Sequence, residues 1–150
     1  MNKLDAVLLS VVGTGALFGH FVGDFIVQSI YKNGWMGREK YRSLRALSFH
    51  VITYGIVLFY FTLFSSFMFV GFSQLIAVLI FVLLNTVLHF CIDFFTSKMT
   101  NKYVSVVSSS EGFIPIKNEN FVPWLLVIGC DQFLHMSIMF ASLLLLVGGI

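Results

Sequence analysis

Three histidines in this chain each lie four residues from an aspartate, a spacing that places both side chains on one face of a helix. Neutral imidazole and ionised carboxylate are common protein ligands of zinc, iron and manganese. The spacing therefore predicts a metal site to which several helices each contribute two ligands. The predicted ligands are His20 with Asp24, His89 with Asp93, and Asp131 with His135.

The composition is that of an integral membrane protein. Hydrophobic residues make up 58% of the chain, charged residues only 11%, and 18 of the 150 residues are phenylalanine. The mean hydropathy is +0.93, outside the range of soluble domains. An ionisable side chain inside a membrane span costs about 2.5–3.5 kcal/mol on insertion scales, so the paired residues indicate a buried functional site. The small net charge of +2 gives no sign of a nucleic-acid partner.

The hydropathy pattern predicts an all-α fold, a single-domain bundle of four transmembrane helices. The helices are expected at about 6–30, 46–70, 75–96 and 121–148, each with at least the ~20 residues that a bilayer requires. The loops after the first and third helices are rich in lysine and arginine, which predicts that both face the cytoplasm and both termini lie outside. Within the third loop, Phe113–Ile116 could form a lid.

On every predicted helix, further polar residues lie near the histidines and aspartates, and together they line one face that we expect to point into the bundle. Measured from the predicted cytoplasmic ends, these residues fall in one slab about 5–20 Å deep. Three aspartates carry a charge of −3, which suits one or two divalent ions. The polar ladders are His20–Asp24–Gln28, His50–Tyr54, Asn85–His89–Asp93, and Asp131–Gln132–His135.

The motifs resemble those of a small family of bacterial and phage inner-membrane proteins that is described only as a domain of unknown function. The likeness lies in H-x-x-G-D-F-x-x-Q from His20 to Gln28, then His50, then H-x-x-x-D from His89 followed by Lys98. It continues in D-Q-x-x-H from Asp131 and covers nearly the whole chain. The resemblance implies a multi-pass protein of the bacterial inner membrane and assigns no activity.

The leading hypothesis is a membrane-embedded metal-dependent hydrolase that acts on a lipid or lipid-linked phosphate or ester at the cytoplasmic leaflet. The cofactor would be one or two ions of zinc, manganese or iron, held by the six paired residues. His50, which has no aspartate partner on its helix, is the candidate general base. The candidates for orienting substrate are Gln28, Tyr54 and Asn85, and those for binding it are Arg42, Arg45, Lys98 and Gln132.

Other functions use the same residues. A proton- or metal-ion-coupled transporter or channel would need a chain of Asp and His through the membrane, but the predicted outer halves are mainly apolar. Haem ligation by facing histidines would support electron transfer, although haem does not require the aspartates. A non-catalytic membrane protein that binds a partner, and assembly into a homo-oligomer, are left open by the sequence. Singly, Gln28, Tyr54 and Asn85 are also explained as interhelical hydrogen bonds.

Overall fold

The computed structural model describes residues 3–69, 75–103 and 118–148, and these residues are almost entirely helical with no β-strand among them. The all-α prediction is confirmed. The predicted lid lies outside the described residues. The elements in chain order are α1 (Lys3–Phe21), a π-helical segment (Val22–Val27), α2 (Gln28–Ile30), α3 (Trp35–Glu39), α4 (Leu44–Phe69), α5 (Leu75–Tyr103) and α6 (Asn118–Gly148).

Four helical stretches are long and apolar enough to cross a bilayer, which confirms the predicted multi-pass membrane protein. They have 22, 24, 26 and 24 residues, so each matches or exceeds the ~20 residues needed to span the hydrocarbon core. Large apolar side chains such as Phe67, Ile76 and Leu145 are exposed on their outer faces, as expected for surfaces in contact with lipid. The spans are Leu9–Ile30, Leu44–Phe67, Leu75–Thr100 and Val122–Leu145.

The spans pack as a closed ring in which each helix has two neighbours. α1 packs along α4, α4 along α5, and α5 along α6, while α6 returns to α1 through a looser contact. A buried apolar core that includes Val12, Leu58 and Phe81 fills the interior on one side of the ring's polar residues. Every helix therefore presents one face to a shared interior and another to lipid.

Three glycines four residues apart, two in α1 and one in the π-helical segment, bring the first span against α4. A Cβ atom at Gly15 would lie 2.8 Å from the backbone oxygen of Phe61, and one at Gly19 would lie 3.1 Å from Leu58 Cα. At Gly23 the Cβ would lie 3.1 Å from the ring of Tyr54. Small residues at this spacing allow close backbone approach between membrane helices. This contact fixes the distance between the polar residues that follow on α1 and those on α4.

We predict that Gly15→Ala destabilises the bundle, because its methyl group would overlap α4 backbone that cannot move independently. Overpacking of this kind typically lowers the free energy of unfolding by about 1–3 kcal/mol. Gly129→Ala is the matched control, since nothing lies within 4 Å of its Cβ position. The measurement is the fraction of monodisperse protein after heating in detergent. Equal melting of both variants would contradict the close α1–α4 packing.

Candidate metal site

A single buried cluster contains every histidine and every membrane-embedded aspartate of the described spans. None of its seven ionisable residues is more than 8% exposed. Two come from the first span, one from α4, two from α5 and two from α6, so all four spans build it. The members are His20, Asp24, His50, His89, Asp93, Asp131 and His135. The structure thus brings the sequence-predicted residues together.

One group of potential ligands is formed by Asp24, His50 and His89, and His50 Nε2 also lies 3.2 Å from Asp93 Oδ2. His50 Nε2 lies 3.2 Å from Asp24 Oδ1 and 3.2 Å from His89 Nε2. The third side of the triangle, from His89 Nε2 to Asp24 Oδ1, measures 3.8 Å. In a tetrahedral zinc site with bonds of about 2.0–2.1 Å, neighbouring ligand atoms are about 3.3–3.4 Å apart. These three side chains therefore fit one face of a tetrahedral metal site.

His89 is held in place by its neighbours' rings. The ring of Tyr54 stacks on the imidazole of His89, with ring centroids 3.8 Å apart and an angle of 13° between their planes. The ring of His135 also stacks against His89, with centroids 4.1 Å apart. A side chain packed in this way has little rotational freedom. The stacking therefore fixes the imidazole nitrogen that faces Asp24.

Two further groups could hold an ion, and they overlap the first. His89, Asp93 and His135 form one, and Asp24, Asp131 and His135 form the other, each with one ligand atom per residue within 4.8 Å of the rest. Asp24 belongs to two groups that share no histidine. A carboxylate has two oxygens, so Asp24 is the residue that could bridge two ions.

Several polar atoms of the cluster have no hydrogen-bond partner among the described residues. They include Asp24 Oδ1, Asp93 Oδ1 and both ring nitrogens of His135. A buried polar atom left unsatisfied costs about 1–3 kcal/mol, and more if it is charged. A cation bound by Asp24, His50 and His89 would satisfy Asp24 Oδ1, whereas the atoms of Asp93 and His135 belong to the other two groups. The Nδ1 atoms of His50 and His89 also lack hydrogen-bond partners, and ligation of a metal through Nε2 would not provide them.

Asp24 lies in a π-helical segment, Val22–Val27, where the sequence predicted an uninterrupted α-helix. π-helical turns are rare and occur frequently at functional sites. Because a π-helical turn contains more residues than an α-helical turn, Asp24 and Gln28 do not lie one above the other on a single face, as the sequence analysis assumed. Gln28 is partly buried, and its Oε1 lies 3.9 Å from the position of a Cβ on Gly37.

Lys40 reaches the cluster from outside the spans, a contact that the sequence analysis missed. Its Nζ lies 3.0 Å from Asp93 Oδ2, and the two side chains are only 8% and 1% exposed. Burial alone would lower the pKa of Lys40, but the carboxylates of Asp93 and Asp24 outweigh it and raise that pKa above its ordinary value. Lys40 therefore remains a cation throughout the physiological pH range.

The chain turns sharply to deliver Lys40. Lys32, Asn33 and Gly34 all have positive φ, at 45°, 56° and 79°. This turn folds the short helix α3 back onto α4, where Met36 is fully buried. Lys40 follows α3 directly. Nothing in the spacing of this basic segment distinguished Lys40 from its neighbours, because the decisive turn depends on backbone conformation.

His20 belongs to none of the three potential ligand groups, although it was predicted to be a ligand. Its Nδ1 lies 3.3 Å from the hydroxyl of Tyr54, and its Nε2 lies 3.2 Å from Oε1 of Gln132. Gln132 Nε2 donates hydrogen bonds to Asp24 Oδ2 at 2.9 Å and to Asp131 Oδ2 at 3.1 Å. His20 and Gln132 thus position the carboxylates, whereas His50, the predicted base, lies among the potential ligands.

The remaining predicted residues lie apart from these contacts. Asn85 donates hydrogen bonds to Phe81 O and Ser142 Oγ, both at 2.8 Å, and so joins α5 to α6. Lys98 is exposed, with Nζ 3.8 Å from the ring centroid of Phe94. The predicted substrate-binding residues Arg42 and Arg45 are likewise exposed.

Thr96 is a second residue that the sequence analysis missed. Its hydroxyl donates a hydrogen bond to Asp131 Oδ1 at 2.6 Å. Thr96 lies three residues after Asp93 on α5, so the helical period was a signal that could have placed it at the site. The contact ties the α6 carboxylate to α5.

Comparison with known proteins places the chain in one family. A family model described as "Protein of unknown function (DUF3307)" matches residues 13–148. The chain belongs to the DUF3307 family. The match includes most of the first span, the other three spans and every residue of the buried cluster, in agreement with the resemblance of the motifs. The search of curated proteins and the search of solved structures gave no match.

We predict that His50→Ala weakens binding of a divalent metal far more than His20→Gln does. Loss of a residue that only orients ligands typically costs about 10–100-fold in metal affinity, and loss of a ligand from a three-residue site should exceed this. Competition with a chromophoric chelator measures the dissociation constant of detergent-purified protein. A larger loss for His20→Gln than for His50→Ala would contradict the ligand assignment.

Proposed function

We propose that this protein is a membrane-embedded, metal-dependent hydrolase of a lipid or lipid-linked phosphate or ester. The observation that carries the proposal is the triangle of Asp24, His50 and His89, whose contacts of 3.2–3.8 Å suit three ligands of one ion. Two imidazoles and one carboxylate are the donor set of hydrolytic zinc enzymes, which leave a coordination position open for substrate. Non-haem iron oxygenases use the same donor set. Because hydrolysis needs no redox-active metal, we assign zinc as the bound ion.

The charge of the cluster supports a single ion. The three carboxylates of Asp24, Asp93 and Asp131 with the ammonium group of Lys40 leave a formal charge of −2, taking the histidines as neutral. One divalent cation balances this charge. Two would leave an excess of +2 in a site surrounded by lipid, where unbalanced charge is expensive.

His135 is then the general base. Its Nδ1 lies 3.6 Å from Asp131 Oδ2, a carboxylate that can orient the ring and stabilise its protonated form. Its Nε2 lacks a hydrogen-bond partner and lies 3.7 Å from Asp93 Oδ1. His135 would take a proton from the attacking water as the bond to phosphorus or carbonyl carbon forms. It would return that proton to the leaving oxygen as the scissile bond breaks.

A bound ion would act as a Lewis acid on the scissile group and acidify the attacking water. Lys40 would supply a second positive charge. Its ammonium group is held by Asp93 near the cluster and can hydrogen-bond a phosphate oxygen or the charge that develops on it. This buried lysine takes the role that the sequence analysis gave to the exposed Arg42, Arg45 and Lys98.

The apolar core on one side of the cluster supports chemistry over transport. Val12 and Leu58 are fully buried, and Phe81 is nearly so. Together with Val78 and Leu143 they belong to a continuous hydrophobic cluster between the helices. An ion or proton path needs polar groups or water along its length. The buried polar side chains beyond the cluster in the described spans, Thr62, Ser66, Asn85 and Ser142, are all uncharged. The Asp and His residues therefore suit a site that opens on one side better than a pathway through the bundle.

The test is hydrolysis of phosphatidic acid, phospholipids and polyprenyl phosphates in mixed micelles, with released phosphate or head group as the readout. We expect activity that a chelator abolishes and zinc restores. His135→Gln should retain zinc but lose about 10²–10⁴-fold in turnover, the usual contribution of a general base. Activity that survives complete removal of metal would refute the proposed mechanism.

Lys40→Gln and Lys98→Gln form a matched pair for the same assay. Both remove one ammonium group, but only Lys40 contacts the cluster, while Lys98 is exposed. We expect Lys40→Gln to lower kcat/KM for phosphate-bearing substrates by at least tenfold, and Lys98→Gln to change it little. The opposite order would assign the substrate phosphate to the membrane surface.

A further inference from the structure

A groove of about 560 Å³ runs along the outside of the bundle between α1 and α6. Its floor is formed by buried residues such as Ala16 and Met139, and its rims by exposed ones such as Leu17 and Phe140. The lining belongs to the spans Leu9–Ile30 and Val122–Leu145. The groove therefore opens toward the hydrocarbon of the bilayer.

The groove surface is mainly apolar, and two of its three hydroxyl-bearing residues, Ser10 and Thr14, bond within their own helix. Ser10 Oγ donates a hydrogen bond to Ala6 O at 2.9 Å, and Thr14 Oγ1 donates one to Ser10 O at 2.7 Å. Both hydroxyls are thus satisfied by the helix that carries them. The groove is therefore complementary to hydrocarbon.

The length of the groove suits one lipid chain. It extends from Leu9 to Leu17 on α1 and from Phe133 to Leu143 on α6. At about 1.5 Å per residue these stretches measure about 12–15 Å. That distance is about half of the ~30 Å hydrocarbon core, the thickness that the chains of one leaflet occupy.

One end of the groove lies beside the polar cluster. Leu17 precedes His20 by one helical turn, and Met136 follows Gln132 by one turn. The contact of 3.2 Å between His20 Nε2 and Gln132 Oε1 joins α1 to α6 at this end. Gln132 is partly exposed and also bonds Asp24 and Asp131. The apolar groove thus leads to the side chains that position the carboxylates.

We propose that this groove binds a hydrocarbon chain of the lipid substrate, which enters sideways from the bilayer with its polar group at the cluster. This inference rests on the proposed function, because the bound lipid is a substrate only if the protein is a hydrolase. A lipid joins an apolar chain to a phosphate or ester, and the apolar groove ends beside His20 and Gln132, whose side chains contact each other and, through Gln132, two of the carboxylates. A second copy of the chain or a partner helix would not supply both an apolar chain for the groove and a phosphate or ester for the cluster.

The first test is photo-crosslinking in phosphatidylcholine vesicles that contain phosphatidic acid with a diazirine at the end of one acyl chain. We expect the label to concentrate on residues 9–17 and 133–143 over other lipid-facing helix surfaces. Ser137→Phe, which fills the groove from α6, should lower labelling at these sites at least threefold. Thr14→Phe should do the same from α1, in case the first variant fails to fold.

Cys91→Phe is the control, because it adds the same bulk at an exposed position on α5 that does not line the groove. Uniform labelling of all lipid-facing surfaces would overturn the proposal, and so would labelling that neither groove variant reduces. Absence of label at residues 9–17 and 133–143, with label on the other lipid-facing surfaces, would likewise overturn it, because another occupant would then exclude the lipid chain.

Labelling of the groove requires no hydrolysis, so this experiment tests lipid binding independently of the proposed enzymatic activity. Groove labelling without metal-dependent hydrolysis would support a lipid site and refute the enzyme. If hydrolysis occurs, Ser137→Phe should raise KM at least threefold for long-chain substrates and leave it unchanged for a short-chain analogue. Metal-dependent hydrolysis with an unchanged KM would support the enzyme and refute the groove.

Discussion

Uncompensated negative charge in the membrane interior is the constraint on which the rest of this structure depends. Asp24, Asp93 and Asp131 are all buried within the spans. The helices surround them with histidines, and the turn after α2 brings in Lys40, which remains charged at 3.0 Å from Asp93. Removal of one partner from a buried ion pair costs about 3–5 kcal/mol, so Lys40 and the carboxylates hold each other in place. A single divalent ion would complete the charge balance.

Backbone packing sets the geometry of the site. The glycines of α1 leave no room for a Cβ against α4, and the π-helical segment Val22–Val27 follows that contact without interruption. Asp24 is therefore held at a short distance from His50, while Tyr54, one turn further along α4, orients both His20 and His89. A hydrophobic bundle can position polar ligands within a few tenths of an ångström because its rigid helices leave little freedom to relax.

The sequence predicted the spans and the cluster because both follow from periodicity. Hydropathy placed four helices, and the i, i+4 pairs showed which side chains share a face. Spacing could not show how each helix is rotated, so it did not reveal that His50 faces Asp24 or that His20 bonds Gln132. Lys40 was missed because its position depends on the left-handed turn at Lys32–Gly34, and the π-helical turn at Asp24 has no compositional signal.

The most direct test of the central claim is X-ray absorption spectroscopy at the zinc K-edge of the zinc-loaded protein, compared with His50→Ala and His89→Ala. We expect nitrogen and oxygen neighbours at about 2.0–2.1 Å with the outer-shell scattering of two imidazoles in the wild-type protein, and of one imidazole in each variant. A wild-type spectrum without imidazole scattering, or one that neither substitution changes, would contradict a metal held by Asp24, His50 and His89.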